Sequence, residues 1–382
     1  MKLLSKLILF VLFIGVLVIV IFYARGYRPD FKNKSLTPTG IIAITSNPKT
    51  AKVYLNDKFQ GVTDINLSLP PGNYQVTIKK EGYTSWSKNV NLKGELVVNL
   101  DALLFPVNPS LSPLTNLGII KAFSLEENKI LLFSDSGIYL FEMPKTPLSF
   151  FPPLKTIAKR ELFPKEIDFS KISVYTSPDL KQAIVDNYLL SLEEENLSLF
   201  NLSLSESSKQ ALISAWEDKK LANLSKILET YPKEFNKIAT ASFKIIDFSP
   251  NETKVLYQSL ENINLPLMID PPLIATNQTK EERRLKKGNF YVYDKKEDKN
   301  YEIGDGKFNN FIKWYPDSRH LVIEEDKKIS IVDYDNLNKQ TVYSGPFQAN
   351  FFDITSDGKI IVLANLNPEA NKLPDLYLVG IK

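Results

Sequence analysis

Acid–base and nucleophilic chemistry in this chain would have to use a very short list of side chains. The sequence has no cysteine and one histidine, His320. The lack of cysteine excludes disulfides, thiolate zinc sites and cysteine nucleophiles. One histidine excludes zinc held by a histidine pair, and a Ser-His-Asp triad would need His320, although no G-x-S-x-G nucleophile elbow occurs. We therefore expect His320, in the alternating segment PDSRHLVIEE, to be a structural or surface strand residue.

Oxygen-rich turns are the remaining candidates for a metal site. Calcium needs several oxygen ligands at close spacing, and the best stretches are 333–336 (DYDN) and 134–137 (SDSG). Hairpin turns favour the same residue types, so a turn explains both stretches equally well. Neither glycine-rich phosphate-binding motif, G-x-x-x-x-G-K-[ST] or G-x-G-x-x-G, is present. We expect no metal and no cofactor, and we assign no catalytic residue.

Length and composition limit the elements that could position a site. The chain has 382 residues, of which 43% are hydrophobic, 24% charged and 11% aromatic. These values are typical of folded proteins, and the length allows a membrane segment, a small domain and a larger domain with a full core. The net charge of +3 is spread without a long Lys/Arg block, so we expect no nucleic-acid partner.

Residues 1–33 have the pattern of a single-pass membrane anchor with a basic flank. The stretch 7–24 carries no charge over eighteen residues, which as a helix spans about 27 Å, close to the thickness of a hydrocarbon core. The apolar region of a signal peptide is shorter, about 7–15 residues, and leads to a small-residue cleavage site. Phe22 and Tyr23 stand there instead, which predicts an uncleaved signal anchor.

Basic residues on both sides of this segment leave its orientation undecided by the positive-inside rule. They are Lys2 and Lys6 before it, and Arg25, Arg28, Lys32 and Lys34 after it. The short N-terminal tail and the domain types downstream favour the bulk of the chain on the extracytoplasmic side of the membrane. Residues 34–39 (KSLTPT) read as a linker.

Residues 40–105 alternate between apolar and polar positions. Val53 and Leu55 alternate with polar neighbours in AKVYLND, and Val76 and Ile78 do the same in NYQVTIKK, which predicts half-buried strands. Turn-forming residues separate these runs, at 56–57, at 61 and at 70–73. The segment is therefore predicted to be a compact antiparallel β-domain.

The order of these turns resembles the PEGA domain family over about residues 40–104. Residues 48–51 (PKTA) stand at the naming tetrapeptide and match two of its four places, and the later steps G-x-T, P-G-x-Y and G-Y are all present. The resemblance implies a small β-sandwich, common in surface and envelope proteins, that serves binding or spacing and has no assigned catalytic residue. We expect the structural turn residues to be Pro48, Gly61, Pro71, Gly72 and Gly82.

Two expectations concern single residues of this domain. Gly72 should adopt a positive φ or lie close to another backbone segment. Four aromatic residues are candidates for a stacking platform that would bind sugar or peptide: Tyr54, Tyr74, Tyr83 and Trp86. Core and hairpin packing is the favoured explanation for them, because Tyr and Trp are common on pleated surfaces.

After a Pro/Ser-rich linker at 106–117, one unit recurs five times, beginning near residues 122, 174, 246, 312 and 352. Recurrence of about four short strands per unit predicts the blades of a β-propeller over 118–382. The element S-P-D/N, as at Ser177 and Ser249, resembles the repeat of TolB-like and prolyl-peptidase-type β-propellers. We expect five to seven blades, and a helical insertion near 205–240 with one amphipathic helix ending before Pro232.

The predicted fold class is therefore mainly β: an N-terminal transmembrane helix, a small PEGA-like β-sandwich, and a five- to seven-bladed β-propeller with a helical insertion. This organisation indicates a membrane-anchored, non-enzymatic envelope or surface protein whose propeller binds protein, peptide or glycan. The alternative is a propeller-based hydrolase or lyase with an unidentified carboxylate site in the central channel. Convergent buried carboxylates there would favour the enzyme, and a flat aromatic or polar funnel the binder.

Overall fold

The computed structural model describes residues 2–24, 27–30, 35–126, 128–143, 154–204, 206–274, 276–305, 311–369 and 372–381. The chain forms two compact units. The first comprises Met1–Val107 with Leu273–Lys280, and the second comprises Asn108–Pro272 with Glu281–Lys382.

The first unit begins with one long apolar helix, α1 (Lys2–Ala24). Its segment Lys6–Ala24 has a mean hydropathy of 3.2, and in the described part of the chain it is the helix long and apolar enough to cross a membrane. Most of its large apolar side chains are exposed, Leu9 by 73% and Ile19 by 68%, and Phe22 near its end packs edge to face on Tyr27. Arg25, Lys32 and Lys34 of the predicted basic flank lie outside the described residues.

A two-stranded hairpin follows the helix. It consists of β1 (Tyr27–Asp30) and β2 (Ser35–Pro38), paired antiparallel so that Tyr27 lies opposite Pro38. The linker predicted at 34–39 is therefore corrected to a strand over most of its length. Pairing with β1 gives its backbone groups the hydrogen-bond partners that an open linker takes from water.

The rest of the first unit is a sandwich of two sheets, ordered β6-β3-β9 and β5-β4-β7-β8. The strands are β3 (Gly40–Asn47), β4 (Lys52–Leu55), β5 (Lys58–Val62), β6 (Ile65–Leu69), β7 (Gly72–Lys79), β8 (Trp86–Leu92) and β9 (Val97–Leu103). The core forms where period-two apolar positions from both sheets meet, around Ile42, Ile44, Val53, Val76, Ile78 and Trp86. The expectation of an antiparallel domain is wrong at one place, because β3 pairs parallel with β9.

The second unit contains five four-stranded antiparallel sheets within the described ranges, here called blades. One short strand, β10 (Ser110–Pro113), comes before them. The first blade holds β11 (Ile119–Ser124), β12 (Lys129–Ser134), β13 (Gly137–Glu142) and β14 (Leu154–Lys159), and the second holds β15 (Val174–Thr176), β16 (Gln182–Val185), β17 (Tyr188–Ser191) and β18 (Phe200–Asn201). Two 3-10 turns, Arg160–Leu162 and Leu202–Leu204, follow β14 and β18.

The third blade holds β19 (Phe243–Phe248), β20 (Lys254–Ser259), β23 (Phe290–Asp294) and β24 (Lys299–Gly304), and a small pair, β21 (Ile263–Asn264) with β22 (Arg284–Leu285), is inserted in it. The fourth holds β25 (Ile312–Trp314), β26 (His320–Glu325), β27 (Lys328–Asp333) and β28 (Gln340–Tyr343). The fifth holds β29 (Phe352–Ile354), β30 (Ile360–Ala364) and β31 (Asp375–Gly380), completed by β10. The structure is mainly β, and its five blades fall within the predicted range of five to seven. These observations confirm the predicted fold class.

Strand β10 joins the two ends of the propeller sequence. Ser110–Pro113 pairs antiparallel with Tyr377–Gly380, which corrects the linker predicted at 106–117. All four side chains of β10 are exposed, so the segment lacks the apolar alternation that marks a strand in sequence. Its proline is tolerated because β10 lies at a sheet edge.

Two helices fill the interval between the second and third blades. They are α2 (Glu206–Leu228) and α3 (Lys233–Ser242), which corrects the prediction of one helix ending before Pro232. Pro232 separates the helices, since proline ends one helix and readily precedes another. Trp216 of α2 packs on Ile184 of the second blade, and Phe235 of α3 packs on the third blade.

Candidate functional site

The second and third blades join their first and second strands with the same turn. In the second blade the Ser177 hydroxyl donates to Asp179 Oδ1 at 2.6 Å, and it accepts from the backbone N–H of Gln182 at 3.0 Å. Ser249 with Asn251 repeats this bond in the third blade at 2.9 Å. The turn therefore holds the end of the first strand against the start of the second, and it sets which side chains reach the blade's inner edge.

The fourth blade departs from this turn, because Tyr315 stands where the serine would be. Here Asp317 bonds His320 instead, with 2.6 Å between Oδ2 and Nδ1, and Nε2 of His320 lies 3.0 Å from Asp333 Oδ1. Burial alone would lower the pKa of His320, but hydrogen bonds to the two carboxylates outweigh it and raise the pKa to about 9. His320 is thus a buried imidazolium that joins β26 to its turn and to β27.

Equivalent repeat positions on the first strands of the blades carry different kinds of side chain. Two residues before the turn stand Phe123, Tyr175, Asp247, Lys313 and Asp353, in blades one to five. Three of these five positions are charged. A blade's inner edge therefore presents aromatic groups in the first two blades and ionic groups in the last three.

An ionic network connects three of these inner strands. Lys313 Nζ lies 2.9 Å from Asp353 Oδ1 and 2.5 Å from Ser124 Oγ, and the Ser124 hydroxyl donates to Asp353 Oδ2 at 3.0 Å. Since β25 and β11 belong to the fourth and first blades, this contact between non-neighbouring blades can form only near the axis. The Asp353 carboxylate is further satisfied by the backbone N–H of Ile354 at 2.9 Å.

Asp247 differs from Asp353 although it occupies the same repeat position. Its Oδ1 accepts from its neighbour's backbone N–H, that of Phe248, at 2.8 Å, and it has no side-chain partner within the described ranges. The side chain is accessible to solvent, yet burial raises the pKa of this carboxyl to about 6, helped by the charge of Glu126 and opposed by that of Lys313.

These groups can donate and accept hydrogen bonds, and Ser124, Lys313 and Asp353 are each engaged by the other two. Both ring nitrogens of His320 bond carboxylates of the fourth blade, those of Asp317 and Asp333. Among the described residues no group of three His, Asp or Glu is arranged to hold a metal ion.

The four aromatic candidates of the first unit are not on one surface. Trp86 is buried in the sandwich core, and Tyr74 and Tyr83 pack against that core from its margin. Tyr54 lies on the opposite face of β4 from the buried Val53. Core packing therefore accounts for three of the four residues, Tyr74, Tyr83 and Trp86.

The turn residues of the first unit separate into those that need glycine and those that do not. Gly61 has φ +150° and Gly82 has φ +76°. Gly72 was expected to need positive φ or a close backbone approach, and this was wrong: it begins β7 in extended pairing with Leu92, and an added Cβ would meet Tyr74 at an ordinary 3.7 Å. The left-handed residue at the 48–51 turn is Thr50, with φ +61°.

The comparisons with known proteins bear on the first unit most directly. Residues 39–108 match the PEGA domain family. This confirms the resemblance, and the PEGA domain is the sandwich of β3–β9. No curated protein matches the chain.

Solved structures that resemble the chain include propeller proteins. A TolB candidate from Agrobacterium tumefaciens is 12% identical with a TM-score of 0.22, and the match covers 62% of this chain and 66% of that one, just under two thirds. An auxiliary nutrient binding protein from Bacteroides thetaiotaomicron is 10% identical, covers 93% of this chain and 82% of that one, and has a TM-score of 0.20. Scores this low support no argument about function, so the site rests on its own geometry.

Sequence analysis did not identify Ser124, Asp247, Lys313 or Asp353. A signal was nevertheless present, because three of them stand two residues before the recurring turn. Aligning the repeats on that turn, instead of searching for known motifs, would have found charge at the same step of three blades.

Proposed function

We propose that this chain is a membrane-anchored, non-enzymatic surface protein in which the PEGA domain presents a five-bladed propeller that binds protein, peptide or glycan. The PEGA domain match and the propeller-like sheets fit a surface binding role. The observation that carries the proposal is the contrast between Asp353, whose oxygens are both engaged, and Asp247, whose side chain is exposed and has no side-chain hydrogen-bond partner among the described residues.

An open carboxylate beside a paired ionic network is suited to recognition. The Lys313–Asp353 pair is 2.9 Å long and holds its strands in place, so the site is preorganised and needs little reordering when a ligand arrives. Asp247 then accepts a hydrogen bond from a hydroxyl, amide or ammonium group of the ligand. A preorganised surface with one unsatisfied acceptor selects donors in its ligand.

A second candidate function is a hydrolase or lyase that uses Asp247 as its general acid or base. The observation in its favour is the pKa of about 6, since a carboxyl that titrates near neutral pH is suited to proton transfer. Glu126, whose charge acts on Asp247, would be its second carboxyl, but within the described residues no side chain hydrogen-bonds Asp247 to orient it for proton transfer.

The binding site is tested with the full-length chain in detergent or nanodiscs, screened against glycan and peptide arrays. Any ligand found is then measured with Asp247→Asn and with Asp135→Asn, the latter an exposed carboxylate at the hairpin turn after β12. We expect Asp247→Asn to weaken binding about tenfold or more and Asp135→Asn to leave it unchanged. If the two variants weakened binding equally, Asp247 would not belong to the binding site. Turnover of the ligand by the protein would show that it is an enzyme.

We further propose that α1 remains on the mature protein as a single-pass anchor and that the propeller lies on the extracytoplasmic side. Protease added to intact cells, after permeabilisation of any outer layer, should then digest the propeller and spare a cytoplasmic control. Full protection would reverse the orientation. A mature N-terminus near Arg25 would show that the segment is a cleaved signal.

A further inference from the structure

One outward face of the PEGA domain combines exposed apolar groups with lysines. On sheet β5-β4-β7-β8, Phe59 is 57% exposed and Val62 is 45% exposed. Strand register sets Tyr54 opposite Phe59, and their rings contact edge to face with centroids 5.8 Å apart. We call Lys52, Tyr54, Phe59, Val62 and Lys79 the cationic-apolar face.

The two lysines of this face lie side by side. Lys52 on β4 is the direct Cα partner of Lys79 on β7, and Lys79 Nζ stands 5.7 Å from the centre of the Tyr54 ring. Like charges directly opposite each other across a strand pair destabilise a sheet. Neither lysine has an ion-pair partner in the part of the chain that the structure describes, so the face carries uncompensated positive charge beside exposed aromatic and aliphatic groups.

The path from α1 to the PEGA domain is short. The β1–β2 hairpin brings Pro38 back opposite Tyr27, and opposite residues of an antiparallel pair lie about 5 Å apart. With at most about 3.5 Å for each residue on either side of the hairpin, Gly40 is within about 25 Å of Ala24. The start of β3 therefore lies near the lipid headgroups, which extend several ångströms beyond the hydrocarbon core. Lys52, Val62 and Lys79 lie towards the other end of the sandwich, so the face reaches the headgroups when the domain lies along the membrane.

We propose that the cationic-apolar face binds the surface of an anionic lipid bilayer. Tyr54, Phe59 and Val62 enter the interfacial layer, where aromatic groups are favoured. Lys52 and Lys79 extend their apolar stems along them and place their ammonium groups among phosphates and carboxylates. The inference rests on the proposed anchoring of α1. It assigns the cationic-apolar face a role, which is to fix the orientation of the PEGA domain on the membrane.

The lack of cysteine makes the test direct, because any introduced cysteine is the sole labelling site. Full-length Val62→Cys is labelled with an environment-sensitive fluorophore and placed in nanodiscs that hold one chain each. The control is Val97→Cys, which is 47% exposed against 45% for Val62 and lies on the outward face of the other sheet. Val97 pairs with Ile41 at the anchor end of the domain, so tethering by α1 alone would quench it more than Val62→Cys. Ile19→Cys on α1 reports anchoring. The quencher is a lipid carrying a spin label near its headgroup.

In bilayers of phosphatidylcholine with phosphatidylserine, we expect the label at Val62→Cys to be quenched about fivefold more than the label at Val97→Cys. In pure phosphatidylcholine the difference should shrink. Lys52→Gln and Lys79→Gln should each lower the Val62→Cys quenching in the anionic bilayer by about fivefold, because each lysine contributes separately to attraction by the surface. Added salt should have the same effect.

Three outcomes would overturn the proposal, and each has a different cause. If Ile19→Cys is not quenched, α1 is not in the bilayer and the anchoring itself is refuted. If Ile19→Cys is quenched while Val62→Cys and Val97→Cys are quenched equally, the anchor stands and the membrane-binding face is refuted. Shielding of Val62→Cys that appears only when a nanodisc holds two chains would assign the face to a second copy, which also overturns the proposal.

Discussion

The buried histidine of the fourth blade should make the stability of the protein depend on pH in one direction. His320 has an ordinary pKa of 6.5, and the two carboxylates raise it to about 9 in the folded protein. A group whose pKa is higher when folded stabilises the fold below its unfolded pKa, and that stabilisation is lost as pH rises through its folded pKa. The free energy of unfolding should therefore fall between pH 6.5 and pH 9.

The size of this effect follows from the pKa difference. About two and a half pKa units, at 1.36 kcal/mol each, amount to about 3 kcal/mol between the two ends of the window. The groups that face the imidazole are Asp317, Asp333 and the ring of Tyr315, whose centroid is 6.2 Å away. Asn338 also donates to Asp333 Oδ2 at 2.8 Å, which keeps that carboxylate in place as an acceptor.

The composition of the chain makes the measurement clean. With one histidine and no cysteine, few other groups change charge in this window. Full-length protein in detergent is unfolded in urea at a series of pH values and followed by tryptophan fluorescence, to which Trp314 of the neighbouring strand contributes. In parallel, NMR of isotope-labelled histidine gives a single ring signal whose titration midpoint is the folded pKa.

His320→Gln is the control, since it removes the titrating ring and keeps a polar side chain of similar size. Its unfolding free energy should be lower than that of the wild type below pH 6.5 and should change little up to pH 9. A histidine signal that titrates at or below its ordinary value would refute the reasoning. So would equal pH dependence in the wild type and in His320→Gln.

Three further predictions concern stability and are read from urea or thermal unfolding. Thr50→Gly should stabilise the PEGA domain by about 1 kcal/mol, because a β-branched residue is strained at φ +61°. Gly137→Ala should destabilise the first blade by about 2 kcal/mol or more, since its Cβ would lie 2.4 Å from the Ala158 carbonyl oxygen; an unchanged melting temperature would show that the turn relaxes. Lys254→Met should cost about 3 kcal/mol by leaving buried Asp294 without its partner at 3.3 Å, and the double change with Asp294→Leu should recover part of that loss.

Local patterns predicted the elements that are stabilised along short stretches of chain. The uncharged run at 7–24 gave a helix because length and apolarity act residue by residue. The alternation around Val53 and Val76 gave half-buried strands, and the match to the PEGA domain at 39–108 confirms the domain that the turns indicated. The expectation for Gly72 failed because a P-G pair marks a turn without saying which of its residues takes positive φ.

The sequence by itself determined the classes of structure in this protein: an apolar helix, a small β-sandwich and repeated four-stranded units, each visible as a periodicity of near neighbours. Tertiary structure alone decided which segments meet across the chain. Ser110–Pro113 is a strand only because Tyr377–Gly380 offers it an edge, and Ser124, Lys313 and Asp353 form one network only because the blades close into a ring. Contacts such as Ser124 with Lys313, 189 positions apart, and Ser124 with Asp353, 229 positions apart, leave no local period, because each partner's own neighbours belong to a different element.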